Sequence, residues 1–125
     1  MTVAAAIRMT SPDEEGVIRH AADFARQRRS ALFVISVVPD LPYGAADEAE
    51  DDIVRRNLEL IKRSKASPVM QEGDDIATML LDVGRAFGVQ TLFLHSGSSR
   101  GLGRSIAEQL LYLEPPFDVV VVSSG

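Results

Sequence analysis

The chain has no cysteine among its 125 residues. That excludes disulfides, thiolate nucleophiles and Cys-based metal sites, and it fits the cytosol. Histidine is scarce. His20 and His95 are the two present, and no spacing links them as metal ligands or as a base–nucleophile pair. Positive charge is in deficit: 13 Lys and Arg against 18 Asp and Glu give a net charge of −5 and a pI near 4.9. This balance argues against a nucleic-acid partner and against attraction to an anionic membrane surface. No apolar run approaches the ~20 residues that span a bilayer, and the first residues lack the basic-then-apolar order of a secretory signal. The expectation is a soluble, cytoplasmic protein with no membrane insertion.

What is present is ordinary globular material. Hydrophobic residues make up 46% and charged residues 25%, enough for one domain over residues 1–125 with a sizeable core. Val3 to Ile7 is a short apolar run and predicts a buried strand. Ser11, Pro12 and the acids Asp13, Glu14 and Glu15 read as a helix start with Ser11 as cap. Val17, Ile18, Ala21, Ala22 and Ala25 continue at helical spacing. Ala31 to Val38 is nearly all apolar, as in a strand covered on both faces. A second helix is predicted within residues 45–66, with Ile53, Leu58 and Ile61 as its buried stripe. Its acids come first and its bases last, which complements the helix dipole. Residues 67–71 allow a short strand. Ile76, Met79, Leu80, Val83 and Phe87 then mark a third helix, stopped by Gly88. Thr91 to His95 predicts a fourth strand, Ser105 to Leu113 a fourth helix and Val119 to Val122 a final strand. Strict alternation of strand and helix implies an α/β fold: a single-domain, open, mostly parallel five-stranded sheet with helices on both faces.

In such sheets ligands sit beyond the carboxyl ends of the strands. Three connections qualify, at residues 8–12, 38–44 and 96–105. The last is rich in glycine and serine and carries Arg100 and Arg104. Its glycines let backbone approach a ligand, and free amides at a helix start favour an anion. A phosphate site is one reading. The plain alternative is a loop ending in Ser105 as helix cap, with Glu108 completing a capping box. The loop is not a Walker A motif, because five residues separate Gly97 from Gly103 and Arg104 stands where lysine is needed. It is not a dinucleotide fingerprint either, because Ile106 stands where the third glycine belongs. The carboxylates cluster at helix starts, where the dipole explains them without acid–base chemistry. His95 lies close enough to the loop to be a candidate ligand contact. His20 reads as a surface or structural residue.

The ordered set of elements resembles the universal stress protein family over essentially the whole chain. The stretches carrying the resemblance are Ser11-Pro12-Asp13-Glu14-Glu15 with the helix after it, the strand from Ala31 to Pro39, Glu72-Gly73-Asp74-Asp75-Ile76, Ala86-Phe87-Gly88-Val89 with its strand, Gly101 to Gln109, and the closing valines. The resemblance implies a Rossmann-like fold of the adenine nucleotide alpha hydrolase type and a role in stress responses. It implies ATP or AMP as candidate cofactor. Val37 and Val38 would lie near the base, and Gly97, Gly101, Gly103 and Ser105 near phosphates, with Arg100 or Arg104 adding charge. ATP-binding members place an aspartate after the first strand and use a G-x2-G-x9-G-(S/T) loop after the fourth. Here the aspartate position falls on Met9, and the loop is shorter. These departures point to the branch of the family that binds no ATP.

Family members commonly pair their last strands, so Val119, Val120, Val121 and Val122 are the expected homodimer interface. An interior strand of the chain's own sheet is the alternative for these valines. The function expected is a dimeric, non-enzymatic stress-response module with a degenerate nucleotide site, no metal, and further protein partners that the residues do not name. Slow ATP hydrolysis stays open, although Met9 supplies neither a base nor a metal ligand. A genuine ATP- or AMP-binding member is the first alternative. A regulatory α/β module associated with a transporter is the second.

Overall fold

The computed structural model describes residues 1–9, 11, 14–38, 48–72, 75–95 and 104–122. Strands and helices alternate without exception: β1 (Thr2–Ile7), α1 (Glu15–Arg28), β2 (Ala31–Val38), α2 (Glu48–Arg63), β3 (Ser67–Glu72), α3 (Ile76–Ala86), β4 (Val89–His95), α4 (Arg104–Tyr112) and β5 (Asp118–Val122). The five strands form one sheet in the order β3-β2-β1-β4-β5, and every pairing is parallel. This is the α/β sheet that the alternation requires, because a parallel neighbour can be reached only by a crossover.

β1 lies at the centre and holds Ala4, Ala5 and Ala6, all fully buried. Small side chains there let helices close down on both faces. Side chains alternate across each strand, so the sheet divides two cores. Ala4, Ala6, Ile35, Leu92 and Leu94 face α3 and α4, meeting Leu80, Val83 and Leu110. Val3, Ala5, Ile7, Val34 and Phe93 face α1 and α2, meeting Val17, Ile18, Ala21 and Ile61. β1 and β4 shift register between Thr2 and Val3, where Thr2 pairs with Val89 but Val3 with Thr91.

Helix ends follow local chemistry in part. Asp75 caps α3, accepting from the Thr78 amide at 3.2 Å. Gly88 follows α3 with φ 64°, a left-handed stop that glycine adopts without strain. The other three helices are followed by left-handed residues that are not glycine: Arg29 (φ 52°), Lys65 (φ 55°) and Glu114 (φ 51°).

Several local expectations are corrected. α1 starts at Glu15, with Glu14 in the cap position and no side-chain capping bond. Glu14 thus takes the cap position expected of Ser11, and the Ser11 amide closes a turn onto the Arg8 carbonyl at 2.9 Å. α4 starts at Arg104, so Ser105 lies inside the first turn rather than at the cap of a capping box. Leu58 is 47% exposed and Phe87 41%. They leave the buried stripes predicted for them, although Phe87 still stacks on Phe33 with ring centroids 4.8 Å apart.

Candidate functional site at the carboxyl edge of the sheet

The chain runs from β1 outward to β2 and β3 along one face, then crosses the sheet to β4 and β5 along the other. The topological switch point lies between β1 and β4. The helices following these strands leave on opposite faces, which opens a crevice at the strands' carboxyl ends.

The structure brings most of the sequence-picked positions to this edge. Met9 follows β1 directly, half-buried against the core under α1. Val37 and Val38 end β2, in register with Gln71 and Glu72 of β3. His95 ends β4, in register with Val122 of β5. Arg104 and Ser105 open α4, whose free N-terminal amides face the strand ends by the same topology. Gly97, Arg100, Gly101 and Gly103, as well as the side chains of Val37, Val38, Arg104 and Ser105, lie outside the described residues.

Sequence reasoning missed a buried polar layer beneath this edge. Asn57 of α2 is buried, and its Nδ2 donates to the Met9 carbonyl at 2.8 Å and to the Ser11 carbonyl at 3.1 Å. A side chain from α2 thus ties down the chain as it leaves β1. The signal was in the spacing: Ile53, Asn57 and Ile61 recur every four residues, so one amide interrupts an apolar stripe and has to find partners inside.

Ser36 and His95 are also buried, at 1% and 3% exposure. Neither the Ser36 hydroxyl nor either His95 ring nitrogen has a hydrogen-bond partner among the described residues. Alternation places Ser36 with Val34 and His95 with Phe93, so both point toward the α1–α2 face. Glu14, fully buried, opens α1 on that face. Buried polar atoms left unmatched cost roughly 1–3 kcal/mol each, which makes Ser36 and His95 the candidates for ligand contact at this edge. Met9 brings no such group. Its thioether is a weak acceptor and a poor partner for hydroxyls or a hard cation. His20, by contrast, is exposed on α1, in keeping with a surface role.

The profile of the universal stress protein family matches residues 2–123, and the chain belongs to that family. Comparison with curated proteins gives no significant match. Among solved structures, a universal stress family protein from Burkholderia pseudomallei superposes with a TM-score of 0.70 at 20% identity, covering 98% of this chain and 96% of the other. A universal stress protein in complex with cAMP gives a TM-score of 0.72 at 14% identity, covering 100% and 98%. The Archaeoglobus fulgidus universal stress protein in complex with dAMP gives 0.63 at 21% identity, covering 97% and 96%. At these identities the likeness is one of fold.

Proposed function

We propose that the chain is a stress-response binding module that works as a homodimer through β5, with a nucleotide site cut down from that of ATP-binding relatives and no catalytic machinery of its own. The observation carrying this reading is the contrast between the two edges of the sheet. β3 and β5 are the outer strands. β3 contains Pro68, which removes a ladder donor and guards an edge against pairing. β5 reads Asp118-Val119-Val120-Val121-Val122 and carries no such guard. Val120 is 37% and Val121 44% exposed, and the neighbouring α4 exposes Leu111 and Tyr112. A second copy pairing along β5 would cover those valines and satisfy the open edge. Among the described residues β5 has β4 on one side and no strand on the other, which favours this reading over an interior strand for the valines.

The reduced site rests on Met9. A thioether at the end of β1 can neither accept from ribose hydroxyls as an aspartate does nor position a metal or water for hydrolysis.

The test is sedimentation of the purified chain. The wild type is expected to be a dimer at micromolar concentration, and Val121→Lys to shift it to monomer while leaving its circular dichroism unchanged. A wild type that stays monomeric at high micromolar concentration would overturn the reading.

A second reading is favoured by a separate observation: the unmatched polar atoms of Ser36 and His95 at the switch point. In this reading the edge holds an adenine mononucleotide rather than ATP, as two relatives of the same fold hold dAMP and cAMP. Calorimetry with AMP and ATP separates the two. Micromolar AMP affinity, roughly −8 kcal/mol, supports the second reading, and no heat up to millimolar AMP rejects it. The finding of the gene for this chain beside a transporter gene would be needed before a transporter role gained weight.

A further inference from the structure

A groove between α1 and α2 opens at the opposite, amino-terminal edge of the sheet, and nothing in the reading above uses it. Its main cavity measures about 640 Å³, within the ~300–1,000 Å³ of small-molecule sites. The floor is apolar, made by Ala22, Ala25, Leu32 and Leu60. Alanines on the facing side of α1 and at the head of β2 leave the space that larger residues would fill. A smaller recess of about 200 Å³ continues the groove toward Asn57, sharing Arg19, Leu60 and Arg63 with it.

The walls of the main cavity are cationic, in a chain whose net charge is −5. Arg19, Arg26, Arg63 and Lys65 line it, and among the described residues Asp23 is the one acid that does. Glu59, four residues before Arg63, lines the adjoining recess instead. Glu15 holds Arg19 at 2.7 Å, and Asp23 holds Arg26. Arg63 and Lys65 have no acidic partner among the described residues. Ser30 also lines the cavity, and its Oγ is buried without a hydrogen-bond partner. Complementation of the helix dipoles accounts for Arg26 and Arg63, which lie in last turns. It does not account for the unmatched hydroxyl or for the apolar floor beneath these cations.

We propose that this groove is a second ligand site, for a small organic anion with an apolar body and a phosphate or carboxylate head. The body lies on the alanine and leucine floor. The head accepts hydrogen bonds from the Arg63 guanidinium, the Lys65 ammonium and the Ser30 hydroxyl, where charge-assisted bonds are strong. The site is on the far edge of the sheet from the switch point, so it would let the module respond to a metabolite independently of any nucleotide.

The experiment is a titration of the intact wild-type chain followed by amide ¹H–¹⁵N spectra, with phenyl phosphate as probe and inorganic phosphate and phenol as its two halves. Saturable shifts are expected at the amides of Ser30, Leu32, Ser64 and Lys65, with a dissociation constant on the order of 1 mM or tighter for so small a probe. Each half alone should bind at least about tenfold more weakly. The double variant Arg63→Gln/Lys65→Gln, both positions being exposed, should keep the spectrum of a folded chain and weaken phenyl phosphate at least about tenfold, and raised salt should weaken the wild type in the same direction. Ser30→Ala should weaken it by a smaller factor. Shifts confined to the carboxyl edge near Met9 and His95, shifts that never saturate, or equal affinity in the double variant would each overturn the proposal.

Discussion

Two glycines in helices should respond to the same substitution with opposite sign. Gly84 lies within α3, and a Cβ built there would sit 2.5 Å from Cε2 of Phe117, 3.1 Å from Cδ2 and 3.3 Å from Cζ. Carbon atoms in contact prefer about 3.5–4.0 Å, so the ring or the helix has to move by about 1 Å. Phe117 is buried in the core shared with Leu80, Val83 and Leu110, where neighbours resist displacement. Overpacking costs about 1–3 kcal/mol. A contact as close as 2.5 Å belongs in the upper part of that range, about 2–3 kcal/mol, and alanine's helix preference offsets about 1 kcal/mol of it. Gly84→Ala should therefore lose about 1–2 kcal/mol, which lowers the melting temperature by roughly 4–8 °C at this chain length. Gly16, in the first turn of α1, has nothing within 4 Å of a built Cβ. There only the preference remains, and Gly16→Ala should gain about 0.5 kcal/mol or less. Urea titration and thermal melting, both followed by far-ultraviolet circular dichroism, give both values. Trimming the ring should relieve the clash, so Gly84→Ala should cost less in a Phe117→Leu background than in the wild type. A Gly84→Ala variant as stable as the wild type would refute the packing argument for α3 and the segment leading into β5.

Asn57→Leu should cost about 2–3 kcal/mol, because two backbone carbonyls lose their donor while an apolar group of similar size takes its place. Faster amide exchange at residues 8–11 would locate the loss, and unchanged exchange there would contradict the tether. Glu114→Gly should raise stability by up to about 1 kcal/mol, since glycine is free of the strain that a side chain meets at φ 51°. Urea midpoints of the two chains decide it. Glu15→Gln should change stability by less than about 0.5 kcal/mol, because its bridge to Arg19 joins two side chains about 60% exposed. A larger loss would mean that the start of α1 depends on that charge.

Composition and periodicity carried the fold, because parallel sheets impose a strict pattern on the chain. A strand covered on both faces has to be apolar over most of its length, as Ala31 to Val38 is apart from Ser36. The crossover helix that follows has to show one apolar stripe, as Ile76, Leu80 and Val83 do. The end of α3 was legible at Gly88, where a left-handed turn favours glycine. Helix ends were not legible at Arg29, Lys65 and Glu114, where packing holds ordinary residues in a left-handed turn. The stripe of α2 was misplaced onto Leu58 because pattern reasoning discounts polar residues. Asn57 lies inside because two carbonyls from a segment 46 and 48 residues away wait for it there.

The sequence by itself determined the class of fold and the family, since these depend on local order and spacing. Only the tertiary structure decided which strands stand at the edges of the sheet, that Ser36 and His95 are buried without partners among the described residues, and that cations from two separate helices share one groove. Those facts depend on which elements become neighbours, and that is settled by the packing of the whole chain rather than by any single segment.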